Sequence, residues 1–224
     1  MKNLSAVVLG FTGLTGGELV KQLLDDSDFL TVIILVRKPV SFSHPKLIVL
    51  VTDFNNLVDF RKNIGKSNCL FCCIGTTQSK VKGDREAYKK VDIDIPVNAA
   101  KMAIDAGFTS YLLVSAVGAN VHSTNFYLKI KGEVEKEIAA LNFRAFHTFR
   151  PSFLLGERKE VRVGEIIAKG AIKIVSFLLF GSLQKYKGID AKDVAKAMIH
   201  AAKSDNVGMT VHHYEDMMRW VNNG

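Results

Sequence analysis

Leu4-Ser5-Ala6-Val7-Val8-Leu9-Gly10-Phe11-Thr12-Gly13-Leu14-Thr15-Gly16 joins an apolar run to a glycine-rich turn, and an amphipathic pattern follows over Thr15–Asp26. The run over Leu4–Leu9 is continuous rather than alternating, which marks a strand covered on both faces. The turn has the spacing G-x-x-G-x-x-G. Gly10 permits a tight turn, Gly13 lets the backbone approach an anion, and Gly16 lets the helix pack closely on the strand. A strand, glycine loop and helix in this order present free N–H groups and the positive end of a helix dipole to a phosphate. The ligand this suits is the pyrophosphate of a dinucleotide, with Gly10, Thr12, Gly13, Leu14, Thr15 and Gly16 as its contacts.

Outward from this unit, short apolar runs alternate with longer helical patterns. Further strands are expected at Val32–Val36, Leu47–Val51, Cys69–Ile74, Tyr111–Ser115 and Ala145–Phe149. Helices are expected over Pro96–Gly107, with proline at its start and glycine at its end, and over Ser123–Leu141, with one more left unplaced before the fourth strand. The alternation implies an α/β fold, a Rossmann-type doubly wound parallel sheet. After Arg150-Pro151 the pattern changes to helices at Val163–Phe180, Asp190–Lys203 and Glu215–Asn222 and a strand at Met209–His213. With 224 residues, four prolines and no repeat or linker, residues 1–224 are expected to form one domain. Within it, 151–224 would be a C-terminal excursion supplying much of the substrate side.

Three cysteines are too few for a disulfide scaffold and point to a reducing compartment. No run approaches the roughly 18–20 apolar residues of a membrane span, so no integral membrane segment is expected. The apolar run at the start is too short for a signal peptide. A cytoplasmic protein is expected. The net charge of +8 is spread along the chain, with no Lys/Arg run longer than two, so no nucleic-acid partner is expected. A polyanionic small molecule is the partner to test.

The second expected strand ends in Arg37-Lys38, where NAD-specific sites commonly place a carboxylate about 20 residues after the loop. Two cations suit a ribose 2′-phosphate, which favours NADPH over NADH. Asp53-Phe54 follows the third strand; Asp53 suits either an adenine amine or a helix N-cap.

Tyr127-Leu128-Lys129-Ile130-Lys131 has the spacing Y-x-x-x-K, which puts both functional groups on one helix face. A lysine there favours the phenolate, so the phenol can trade a proton with a carbonyl or alcohol oxygen. Ser115, at the carboxyl end of the fifth strand, would hydrogen-bond the same oxygen.

Together with Phe71-Cys72-Cys73-Ile74-Gly75-Thr76-Thr77, Asn125–Glu135 and Phe149-Arg150-Pro151, these residues resemble the atypical short-chain dehydrogenase/reductases. Within that branch the chain is similar to the Tat-interacting-protein-type NADPH-binding oxidoreductases. The resemblance spans residues 4 to about 160 and implies about seven strands in the order 3-2-1-4-5-6-7. It implies that Gly75 and Thr76, with Ile74 beside them, line the nicotinamide ribose and that Lys131 binds ribose hydroxyls. Pro151, Ser152 and Phe153 would border the nicotinamide, and Ser115 and Tyr127 would face the substrate. The implied activity is hydride transfer from NADPH to a carbonyl or quinone-like small molecule. Two positions depart from the pattern: Asp92 stands where many relatives have asparagine, and Ala116 where many have a second serine. They motivate an alternative, an NADPH-holding regulatory protein that acts through a protein partner. A monomer and a homodimer both remain open.

Cys69-Leu70-Phe71-Cys72 has the spacing C-x-x-C, but on a strand the two side chains point to opposite faces. His212-His213 has no partner spacing, and no metal is assigned. The apolar run Ile172–Phe180, near Lys169, Lys173 and Lys185, is read as a helix over the substrate cleft rather than a membrane contact.

Overall fold

Ala6, Val7, Val8 and Leu9 are all fully buried, which requires cover on both faces of their strand. The computed structural model describes residues 2–156 and 181–223. In it, β1 (Leu4–Leu9) is an inner strand of a seven-stranded sheet. The other members are β2 (Phe29–Val36), β3 (Leu47–Val51), β4 (Cys69–Cys72), β5 (Ser110–Val114), β6 (Ala145–Phe149) and β9 (Gly208–His212). The order is β3-β2-β1-β4-β5-β6-β9, with every pairing parallel. The expected doubly wound sheet is present, and the strand expected near 209–213 is its outer member. β7 (Leu154–Leu155) and β8 (Ile189–Asp190) form a separate two-residue ladder.

Side chains on alternate positions of each strand enter different layers. Ala6 and Val8 pack with α1 (Leu14–Asp25), α6 (Ala191–Lys203) and α7 (Tyr214–Asn223). Val7 and Leu9 pack with α2 (Leu57–Ile64), α4 (Ile95–Asp105) and α5 (Phe126–Ala139). Cys69 lies in the first layer and Cys72 in the second, as strand geometry requires. Burial pushes the Cys69 thiol up to about 12 and raises that of Cys72 as well, so both act as packing groups. The continuous apolar run at β3 does not have two covered faces. It is an edge strand, with Ile48 and Val51 about half exposed.

Three differences from the sequence reading bear on the site. The fourth strand stops at Cys72 instead of Ile74, because Cys73 and Ile74 turn against the Gly10 backbone. α2 is capped by Asn56, whose Oδ1 accepts from the N–H groups of Val58 and Asp59, so Asp53 is not the N-cap. The helix expected from Pro96 begins eleven residues earlier, at α3 (Arg85–Lys89), capped by Asp84. α3 runs through a π turn over Lys90–Asp94 into α4, and Ile95 N–H donates to the Lys90 carbonyl, five residues back. Pro96 lacks the N–H that a regular turn uses, and the wider turn precedes it. The helix expected over Val163–Phe180, with its apolar run Ile172–Phe180, lies outside the described residues.

A pair not singled out in the sequence closes the outer edge of the sheet. His147 Nδ1 on β6 lies 2.9 Å from His212 Nε2 on β9. His147 is fully buried and His212 nearly so, and the His212 ring stacks on Phe149 and tilts against Trp220. One nitrogen must donate and the other accept, so the accepting ring is neutral and the two rings cannot both be charged. Burial pushes His147 down to about 4, with His212 adding to the effect. Burial likewise pushes His212 to about 4, against the opposing Asp216 carboxylate.

Candidate cofactor and catalytic site

The glycine loop sits at the carboxyl end of β1, where the strand order reverses and open parallel sheets bind ligands. Gly10 adopts φ +88°, and a Cβ there would lie 2.6 Å from the Cys73 carbonyl carbon and oxygen. A Cβ at Gly16 would lie 2.1 Å from the Gly10 oxygen, so strand and helix meet here without room for a side chain. Gly13 is the α1 N-cap and has no side-chain capping bond. The first-turn N–H groups are thus left for a ligand. Thr12 and Gly13 are exposed, Leu14 is half-buried and Thr15 is buried. Thr15 Oγ1 has no hydrogen-bond partner among the described residues.

Ile74, Gly75 and Thr76 leave β4 beside this loop. Thr76 N–H donates to Asp92 Oδ2 at 2.8 Å, and the Tyr88 hydroxyl donates to the Thr76 carbonyl at 3.3 Å. Asp92 Oδ1 lies 3.1 Å from Lys131 Nζ, and both side chains are almost fully buried. The departure from asparagine thus has a structural role: it supplies the counter-ion of the lysine. Burial opposes the Lys131 charge, but Asp92 and then Tyr127 outweigh it and raise its proton affinity above the ordinary lysine value. The field at Tyr127 is that of an ion pair, not of the lone cation expected from Y-x-x-x-K.

Tyr127 lies in the first turn of α5, 39 % exposed, with Lys131 Nζ 5.9 Å from its ring centre. Asn125 caps the helix by accepting from Leu128 N–H. Ser115 follows β5, and its N–H donates to the Phe149 carbonyl at 2.7 Å. It is 4 % exposed, and its Oγ has no partner among the described residues. Ala116 is buried beside it. Val117 N–H donates to the Pro151 carbonyl, which ties this strand end to Pro151 and Ser152. A Cβ at Gly156 would lie 3.0 Å from a Leu14 methyl, so that segment returns to the glycine loop.

Arg37 and Lys38 are exposed and have no ion pair among the described residues. Asp53 turns on Asn55, accepting its N–H at 3.0 Å, while the Phe54 ring packs edge-on against Phe60. Phe11 of the glycine loop stacks on Phe42, 5.7 Å between ring centres, a contact that no spacing signals.

Two buried hydroxyls without partners, at Thr15 and Ser115, and a glycine cradle with no space for a Cβ are features that a bound dinucleotide would complete. A family model described as NAD(P)H-binding matches residues 10–205. The chain belongs to this NAD(P)H-binding family. Its fold and relatives place it in the atypical short-chain dehydrogenase/reductase branch. Protein HTATIP2 of Rattus norvegicus is 34% identical over 172 residues, covering 75% of this chain and 70% of the relative. "Protein FMP52, mitochondrial" of Debaryomyces hansenii is 34% identical over 202 residues, covering 89% and 88%. Among solved structures, the Bordetella bronchiseptica enzyme WbmH in complex with NAD+ superposes with a TM-score of 0.71 at 15% identity, covering 96% of this chain and 76% of that one. A UDP-N-acetylglucosamine 4-epimerase from Methanobrevibacter ruminantium does so at 0.69 and 17%, covering 95% and 77%. At these identities the structures speak for the fold alone.

One residue that supports the helix of this candidate site carries no assigned role in the sequence. A Cβ at Gly132 would lie 2.4 Å from Asn120 C and Val121 N, so α5 rests directly on backbone one position after Lys131. Gly132→Ala is expected to cost about 2–3 kcal/mol by overpacking. That lowers the melting temperature by roughly 5–10 °C for a chain of this size. Cofactor affinity should fall with it. A melting temperature within a degree of wild type would show that the loop yields freely.

Proposed function

We propose that the protein is an NADPH-dependent oxidoreductase that reduces a carbonyl or quinone-like small molecule. The observation that supports this most is the shared face of α5, which carries an exposed Tyr127 above a buried, charged Lys131. A bound NADPH would supply the hydride. Tyr127 gives the proton to the substrate oxygen, and the unpartnered Ser115 hydroxyl donates a hydrogen bond to the same oxygen. Lys131 takes the ribose hydroxyls, Ile74, Gly75 and Thr76 line the ribose, and Pro151 and Ser152 border the nicotinamide. Gly10, Thr12, Gly13, Leu14, Thr15 and Gly16 hold the pyrophosphate. Asp53 and Phe54 meet the adenine.

Beside α3, Val81, Arg85, Tyr88 and Phe126 line a cavity of about 190 Å³, with Phe126 next to Tyr127 in the chain. Residues 1–224 work as one domain, with 151–224 on the substrate side. No helix among the described residues is long and apolar enough to cross a membrane. We place the protein in the cytoplasm, although the yeast relatives bear the word mitochondrial in their names; fractionation of cells decides between the two compartments.

A broad panel of carbonyls and quinones, followed by NADPH absorbance, tests the activity. Consumption by none of them favours the alternative of a cofactor-holding protein with a protein partner. Cofactor choice has its own test. Replacing Arg37 and Lys38 by alanine should weaken NADPH binding about 10–100-fold, the loss of one or two charge-assisted hydrogen bonds, and NADH binding only a few-fold. Equal losses in calorimetry would show that neither side chain reads the 2′-phosphate.

A further inference from the structure

Asp92 and Lys131 are buried together, at 1 % and 4 % exposure. A buried ammonium without a counter-charge loses its proton readily. The groups that face Lys131 come from four elements: Asp92 from the π turn, Tyr127 from its own helix, Tyr88 from α3 and the Cys72 thiol from β4. Among these, Asp92 is the carboxylate. Its two oxygens divide the work: Oδ2 accepts the Thr76 N–H, and Oδ1 faces the ammonium. A Cβ at Gly75 would lie 3.7 Å from that oxygen and 3.9 Å from Lys131 Nζ, so the backbone of the 75–76 turn rests on the pair. Lys131 meets Asp92 Oδ1 as an ion pair and has no hydrogen-bond partner among the described residues, which leaves its donors for an incoming hydroxyl.

We propose that Asp92 is a positioning residue: it holds Lys131 as a cation beneath the Gly75–Thr76 turn, and the cofactor ribose is bound by this carboxylate–ammonium unit rather than by the lysine alone. The ribose half rests on the cofactor reading above. The holding of Lys131 is measurable without any cofactor. Asp92→Asn keeps an oxygen for Thr76 N–H and removes the charge, so it separates the two duties of the side chain.

The experiment is an NMR titration of the full chain carrying 13Cε-lysine, with the Lys131 signal assigned by its loss in Lys131→Arg. In the wild type the signal should keep its ammonium position beyond pH 10, the ordinary lysine range. In Asp92→Asn its midpoint should fall to about pH 8 or below, because burial is then unopposed by the carboxylate. NADPH affinity of the variant should drop at least tenfold between pH 7 and pH 9, against less than about threefold for the wild type, by linkage to that proton. An unchanged Lys131 midpoint in Asp92→Asn overturns the proposal. So does a wild-type midpoint below the ordinary lysine range, which needs no variant and stands even if Asp92→Asn fails to fold. A wild type that binds no NADPH while the midpoint falls as expected would overturn the cofactor reading and uphold the Asp92–Lys131 coupling.

Discussion

Tyr127→Phe should lower NADPH-dependent turnover by about 10²- to 10⁴-fold, the usual contribution of a positioned proton donor, with NADPH affinity close to wild type. The substitution removes one hydroxyl and keeps the ring. Because Tyr127 is 39 % exposed, no buried cavity is created. The ring can keep its place near Lys131, whose ammonium lies 5.9 Å from the ring centre. A fall in turnover at constant NADPH affinity therefore isolates proton transfer from cofactor binding. Turnover equal to wild type would remove Tyr127 from the mechanism and leave Ser115, or a group brought by the substrate, as the proton source.

The histidine pair predicts an acid-labile fold. Both rings are pushed down to about 4, against about 6.5 for a free imidazole, and are neutral near pH 7. Between those values the unfolded chain binds more protons than the folded one, so stability rises with pH there. The contribution is complete above pH 6.5 and is lost as pH falls toward 4. At roughly 1.4 kcal/mol per pH unit, one such depression is worth about 3 kcal/mol, and the pair, titrating together, on the order of 5 kcal/mol. His200 and His213 are also lowered by burial and add in the same direction. Urea denaturation at pH 7 and pH 4.5 should show the loss, and His147→Leu should remove a large part of the slope. Identical slopes in the two proteins would mean that the pair is not what acid attacks.

The strands and the glycine loop were legible because they rest on local signals: continuous apolar runs, glycine spacing, and a proline or glycine at a helix end; the order of the strands in the sheet came only with the family resemblance. Leu4–Leu9, Leu47–Val51 and Ala145–Phe149 form strands with the expected bounds. Helix α3 was not legible, since its five residues carry no full apolar period and its signal is a single capping aspartate at 84. The histidine pair joins residues 65 apart on neighbouring strands, and Gly132 meets a loop that folds back from residue 120. Such contacts depend on tertiary approach. Asp92 was noticed only as a departure from asparagine; its partner thirty-nine positions on became visible with the packing of the π turn against α5.

That π turn also constrains how the chain can change length. Regular helix advances about 100° per residue, and a π turn holds one residue more than the regular turn in its place. Loss of any one residue between Lys90 and Asp94 would restore an ordinary helix from Arg85 to Asp105 without disturbing either end's helical character. It would also rotate one half of that helix against the other by about a quarter turn. Either Asp92 would leave Lys131, or Tyr88 and Arg85 would leave Phe126. The stretch resembles a helix that tolerates trimming, yet its residue count is as much a part of the site as any side chain in it.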